Sequence, residues 1–374
     1  MKKGILFTVI AVAVVLFYSA CSIRQPLADM FAQPFQAVLD QQRGDMRVPG
    51  LAAAVILPDG TIWQGVSGKS SDEQAMRQDM LFGLASITKT YIAALVVQLA
   101  DTGYFSLKDG VGNWLPGPSW AHDLTIHQLL SHTSGLYRFQ QKAEFLAAVY
   151  AHPEKEWTPE EIITQFLGPR ECPAGTCFGE SAMDYVLMGM IIEKATGTPL
   201  PTLLKNRLFV PLELENTFLY PQQLYPKARM AHMWWDFGTG ELEDVCLEAG
   251  EKPLAGLFSA LWASGAMHAT AADLARFAHG LFQKHILTNP QRNTLLAATT
   301  KLGDTIHYGY SVVVEEIQGQ PAYWHTGGAG YASIYLHMPM ENLTIVVLCN
   351  LMIDAKPIAL ALYRAYAAGH KPGD

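Results

Sequence analysis

Charge is scarce in this chain: Asp, Glu, Lys and Arg together make up 16% of its 374 residues, and no run of basic residues occurs anywhere. The net charge of −8 argues against nucleic acid or an anionic surface as a partner. The histidines show no metal-ligand spacing such as His-Glu-x-x-His, so no metal is implied, and no cofactor fingerprint is apparent either. Tandem repeats and low-complexity tracts are absent as well. The five cysteines do not form the even framework of a small disulfide-stapled protein. What remains is abundant apolar material, half of all residues, enough for the deep core of an enzyme-sized body.

The one long apolar run lies at the start. Met1-Lys2-Lys3-Gly4 is followed by a stretch from Ile5 to Tyr18 interrupted only by Thr8, too short to span a bilayer comfortably and patterned as an export signal over residues 1–20. Cys21 after Tyr18-Ser19-Ala20 resembles the lipidated cysteine of bacterial lipoproteins, although Tyr18 departs from that pattern. The expectation is an exported protein of the periplasm or cell envelope, attached to the membrane by an N-terminal lipid or by the signal itself. In such a compartment Cys172 and Cys177, which bracket Pro173-Ala174-Gly175-Thr176, are candidates for a bridge. Cys246 reads as a loop thiol and Cys349 as a buried strand residue.

Pattern places a helix over Leu27–Gln42, a hairpin over residues 50–67 turning at Pro58-Asp59-Gly60, and an all-round apolar helix from Ser86 to Ala100 closed by Gly103. Helices are expected near 124–131, 159–167, 182–196 and 198–207, strands at 308–314, 332–336 and 343–348, and a last helix over Pro357–Ala368. Strands at both ends with helices between them predict an α/β (α+β) fold: an antiparallel sheet built from both chain ends, flanked by helices, with an inserted helical lobe. The sheet lobe would span about 28–80 and 262–374, and the helical lobe about 81–261.

Ser86-Ile87-Thr88-Lys89 stands where a loop gives way to the apolar helix. Serine and lysine three apart share a helix face, so hydroxyl and amine can meet, and a buried lysine with a lowered pKa can take the serine proton. The bland alternative is a capping serine beside a surface lysine. Ser-x-x-Lys alone is weak, since composition produces it about once in a chain of this size. Its company is more telling: Leu129-Leu130-Ser131-His132-Thr133-Ser134-Gly135-Leu136, Gly189-Met190-Ile191-Ile192-Glu193-Lys194-Ala195-Thr196-Gly197, Ala271-Ala272-Asp273-Leu274-Ala275-Arg276-Phe277 and His325-Thr326-Gly327-Gly328 follow in order.

In that combination the chain resembles the β-lactamase-related serine hydrolases, a family that includes class C β-lactamases, D,D-carboxypeptidases, D-aminopeptidases and esterases. The resemblance implies a β-lactamase/transpeptidase-like fold, an acyl-enzyme at Ser86, Lys89 beside it, and an oxyanion hole from the backbone N–H groups of Ser86 and Gly328. His325, Thr326 and Gly327 would form the substrate-binding strand, His325 binding a substrate carboxylate when protonated or donating a hydrogen bond when neutral. His132 would be a structural hydrogen-bonding residue. The implied partner is a small-molecule or peptide substrate.

One element departs from the family. The expected Tyr-x-Asn falls on Glu180-Ser181-Ala182, and three readings follow. Glu180 replaces the tyrosine as a proton carrier; or Lys89 alone is the base, with Glu180 paired to it; or the site has become a ligand-binding module on the same fold. Tyr185 reads as a packing residue. The aromatic run Met233-Trp234-Trp235-Asp236-Phe237 either lines an apolar pocket or packs between lobes.

Overall fold

A computed structural model describes residues 26–370 apart from 116–118, 224, 246–254, 284 and 298. Residues 1–20, Cys21 and Cys246 therefore lie outside the described residues. No helix among the described residues is long and apolar enough to cross a membrane.

Eight strands form one antiparallel sheet in the order Ile62–Gly68, Gly50–Ile56, Leu343–Cys349, Tyr331–Met338, Gln320–Ala329, Val313–Ile317, Ile306–Tyr308 and Thr300–Lys301. The two chain ends meet between its second and third strands, Leu51 opposite Cys349 and Ile56 opposite Thr344. Side chains alternate across a strand, and here both faces are covered. Ala52, Ala54 and Ile56 join one apolar cluster, while Leu51, Ala53 and Val55 join another under the helices Leu27–Asp45 and Lys356–Gly369. Burial of both faces explains why Leu343–Cys349 is apolar without alternation. Cys349 is a free, buried thiol, as its strand position suggested.

The first cluster continues into the helical part of the chain. Its axis is the helix Ile87–Asp101, in which thirteen of fifteen residues are buried, and which is closed by a left-handed Gly103. Helices Ala182–Thr196 and Ala271–Phe282 pack around it, the former ended by a left-handed Gly197. Cys172 and Cys177 are disulfide-bonded, with Cα atoms 6.5 Å apart.

One expectation needs correction. Residues 308–314 are not one strand. The chain turns between Ile306–Tyr308 and Val313–Ile317, with Ser311 at φ 52° and the Gly309 amide donating to the Val312 carbonyl. The helix expected near 198–207 is present, α-helical over Leu200–Leu204 and continuing as a π-helix over Lys205–Phe209.

Candidate active site

Ser86 sits at the N-cap of the buried helix, yet its side chain caps nothing. The hydroxyl instead lies 2.8 Å from Lys89 Nζ, which also donates to the Ser264 carbonyl at 2.9 Å. Lys89 is 4% exposed, so the reading of a capping serine and a surface lysine fails on both counts. Ala85, immediately before Ser86, is held at φ 46°, a left-handed conformation that costs a non-glycine residue about 1–3 kcal/mol. Among the described residues the Ser86 amide has no backbone acceptor.

The strand Gln320–Ala329 closes the other side. His325, Thr326, Gly327 and Gly328 lie within it, opposite Tyr335, Ile334, Ser333 and Ala332, rather than after it. A Cβ on Gly327 would collide with the Leu84 carbonyl oxygen, whereas one on Gly328 would meet only Met352 at 3.7 Å. Ser333 Oγ donates to the same Leu84 oxygen at 2.8 Å, tying the strand to the turn that carries Ser86.

Glu180 comes in just before the helix Ala182–Thr196. Gln140 clamps that turn, its amide donating to the Glu180 carbonyl at 2.6 Å and accepting from the Ala182 amide at 3.1 Å. The Glu180 carboxylate reaches to 3.6 Å from His325 Nε2, with its side chain 41% exposed. His325 Nδ1 donates to the Thr326 carbonyl at 2.7 Å, and its Nε2 lies 3.3 Å from the Tyr308 hydroxyl. Behind them Asp184 is wholly buried, accepting from His132 Nδ1 at 2.7 Å and from the Ser134 hydroxyl. Tyr185 is buried with its hydroxyl on the Leu130 carbonyl, its ring 6.0 Å from Lys89 Nζ.

These neighbours set the proton affinities. Burial pulls Lys89 down to about 8, against the upward pull of the Glu180 and Asp184 carboxylates. Burial likewise brings His325 down to about 4 although Glu180 favours its charged form, so the imidazole is neutral at pH 7. For Glu180 burial acts upward, and His325, His132, Lys89 and the Tyr308 hydrogen bond more than reverse it, leaving the carboxyl below the usual range. Burial raises the Asp184 carboxyl, opposed by its His132 and Ser134 bonds. Among the described residues no cluster of metal-ligating side chains occurs.

A family model, Beta-lactamase, matches residues 35–369 of the chain. The chain belongs to the beta-lactamase family. It is 27% identical over 342 residues to Penicillin-binding protein 4 of Amycolatopsis lactamdurans, covering 84% of each chain. To Penicillin-binding protein 4* of Bacillus subtilis (strain 168) it is 25% identical over 295 residues, 75% of this chain and 63% of that protein. It thus spans just under two thirds of the latter's length. A solved D-stereospecific amidohydrolase from a Streptomyces species shares the fold, with a TM-score of 0.77 at 24% identity over 91% of this chain and 99% of that one. The family is one of β-lactamase-fold serine hydrolases, and the relatives matched include proteins named N-acetylmuramyl-L-alanine amidase, Esterase EstB and Putative D-alanyl-D-alanine carboxypeptidase.

Sequence reasoning brought Ser86, Lys89, Glu180 and His325 forward, and the fold gathers them. It missed Tyr308, read only as a strand residue, and Asp184, hidden inside an apolar helix. Ser264 contributes a carbonyl, for which no side-chain signal exists. The aromatic run is divided: Met233 and Trp234 are buried, the Trp234 indole donating to the Ser70 carbonyl at 2.7 Å, while Phe237 is exposed.

Proposed function

We propose that this chain is a serine hydrolase that forms an acyl-enzyme at Ser86 on amide or ester substrates and releases it to water. The observation that carries the proposal is the 2.8 Å contact between Ser86 Oγ and a buried Lys89 amine whose pKa is pulled to about 8. Lys89 in its neutral form takes the serine proton as Oγ attacks the carbonyl, then returns it to the leaving group. The amides of Ser86 and Gly328 hold the oxyanion, with the helix N-terminus adding its positive end. Gly327 lets the strand approach closely enough for this.

Of the three readings of Glu180, the electrostatics favour the second. A carboxylate held below its usual range is a poorer base than an amine at about 8, so Lys89 carries the proton and Glu180 acts as a fixed negative charge beside it. His325, Thr326 and Gly327 line the substrate as a strand edge, with His325 neutral. In the cell we place the protein at the envelope, residues 1–20 serving as its export signal and Cys21 as its lipid attachment.

Intact-mass measurement after exposure to a fluorophosphonate and to a penicillin tests the proposal, comparing the wild type with Ser86→Ala. The expected result is a fluorophosphonate adduct in the wild type that Ser86→Ala abolishes. No Ser86-dependent adduct with either probe would instead make the chain a ligand-binding protein that keeps the fold.

A further inference from the structure

The aromatic run that the Ser86 site leaves unused has a second set of neighbours. Trp234 is fixed by its amide on the Asn350 carbonyl at 2.9 Å and by its indole N–H on the Ser70 carbonyl at 2.7 Å. With Val48, Leu242 and three cations, Arg43, Arg47 and Lys69, it lines a cavity of about 330 Å³. No carboxylate lines that cavity, although the chain as a whole is acidic, and none of Ser86, Lys89, Glu180 and His325 does either. The cations are held in place. Arg43 Cδ lies 2.7 Å from where a Cβ on Gly68 would stand, so the absence of a side chain there lets the arginine stem lie flat. Its Nε donates to Ser67 Oγ at 2.9 Å, and Ser67 Oγ donates to Asp40 at 2.6 Å, which leaves the two terminal nitrogens without a partner among the described residues. Lys69 Nζ stands 4.6 Å from the centre of the Trp234 ring, paired with Asp72. Arg47 is exposed and has no side-chain partner among the described residues. It occupies a left-handed position, φ 54°, just after the helix Leu27–Asp45, where glycine is the usual residue. The helix does not need these guanidiniums as caps, since the Gln42, Arg43 and Gly44 carbonyls already accept from the amides of Met46, Val48 and Arg47.

We propose that this cavity binds a small soluble molecule through a phosphate monoester, held by Arg43, Arg47 and Lys69. Two guanidiniums and an ammonium match a dianion with three terminal oxygens, whereas a carboxylate, with one charge and two oxygens, leaves a cation unmatched. The volume stands at the lower end of the range that holds small ligands, so it takes the phosphate together with a compact body against Val48, Trp234 and Leu242. A guanidinium already fixed by Gly68 and Ser67 loses less freedom when the ligand arrives. The same phosphate chemistry is also offered by the headgroups of an anionic bilayer, but a net charge of −8 disfavours that source. Nothing in this site depends on the acylation of Ser86.

Calorimetric titration of the full chain at constant ionic strength tests this, with glycerol 1-phosphate, inorganic phosphate and acetate as separate probes. Glycerol 1-phosphate should bind saturably and at least about tenfold more tightly than acetate, equivalent to about 1.4 kcal/mol, and inorganic phosphate should compete with it. Arg47→Ala should weaken binding by about tenfold or more, and raised salt should weaken it in the wild type. Because Arg47 is exposed and has no partner to lose, the melting temperature of that variant should match the wild type. Lys69→Gln, a second variant, should weaken binding in the same direction. Sedimentation with phosphatidylcholine vesicles carrying phosphatidic acid separates the two sources, and no binding that depends on Arg47 is expected there. The proposal is overturned by the absence of saturable heat with glycerol 1-phosphate at millimolar concentration, by acetate binding as tightly, or by an affinity that survives Arg47→Ala. Binding that depends on Arg47 but is seen with the vesicles alone overturns it as well.

Discussion

Replacing Lys89 by methionine keeps the length of the side chain and removes its charge, and its effect should depend steeply on pH. The native state holds this lysine at about 8 against an ordinary value of 10.5. The unfolded chain therefore binds more protons than the native one between about pH 8 and 10.5, and the stability of the wild type rises across that window. The depressed pKa costs the native state about 3 kcal/mol at pH 7 and less than about 1 kcal/mol at pH 10. The methionine variant has no such term. It does lose the donor to Ser86 Oγ and the Ser264 carbonyl, a cost of about 1–3 kcal/mol that does not vary with pH. The absolute difference at one pH can thus be near zero, and the slope is the clean quantity. Relative to Lys89→Met, the wild type should gain about 2 kcal/mol from pH 7 to pH 10, measured by urea unfolding at each pH. Activity should move in step: kcat/KM of the wild type climbs through an apparent pKa of about 8 as the amine becomes neutral, and the variant loses at least about a thousandfold. A stability difference that stays flat from pH 7 to 10, or an acid limb that ends below about pH 6.5, would refute the assignment of Lys89 as a buried base.

The two glycines of the substrate strand should respond oppositely. Gly327→Ala drives a methyl into the Leu84 carbonyl oxygen, so it should cost about 1–3 kcal/mol and slow Ser86 labelling by about a hundredfold through displacement of the turn. Gly328→Ala meets only Met352 at 3.7 Å and keeps its amide, so melting temperature and labelling rate should stay close to the wild type; equal damage from both changes would contradict the packing described. Removing the bridge with Cys172→Ser and Cys177→Ser frees a short loop of sequence separation 5 and should lower stability by about 2 kcal/mol. Denaturant midpoints under non-reducing conditions check this, and an unchanged midpoint would show that the bridge constrains nothing.

Much of the fold was legible because its strongest elements are set by local pattern. The hairpin pairs Gly50 with Gly68 and Ile56 with Ile62 around the anticipated Pro-Asp-Gly turn. The helix Ile87–Asp101 is apolar on every side because every side is covered. Misreadings occurred where a distant contact overrides local preference. Gly309 is the one weak turn signal in Tyr308–Val314, but the left-handed residue is Ser311; it is buried, and its carbonyl accepts from the Thr90 hydroxyl at 2.9 Å, 221 residues away. The two glycines at 327 and 328 carry no strand preference of their own. They continue the strand because the Leu84 carbonyl occupies the place where a side chain would stand.

The candidate site divides along the same line. Spacing along one helix brings a hydroxyl and an amine together, so Ser86 and Lys89 could be paired from sequence. Whether the amine can work as a base is decided by burial against Ser264, Tyr185, Glu180 and Asp184, drawn from two other segments. His325 shows the point most sharply. On sequence grounds it could be a cation for a substrate carboxylate. Burial and the Thr326 carbonyl make it a neutral ring whose outward nitrogen can only accept. The charge state of the site is thus set by groups that look unremarkable in the chain, and the burial of the ring, rather than its identity, decides whether it carries a proton.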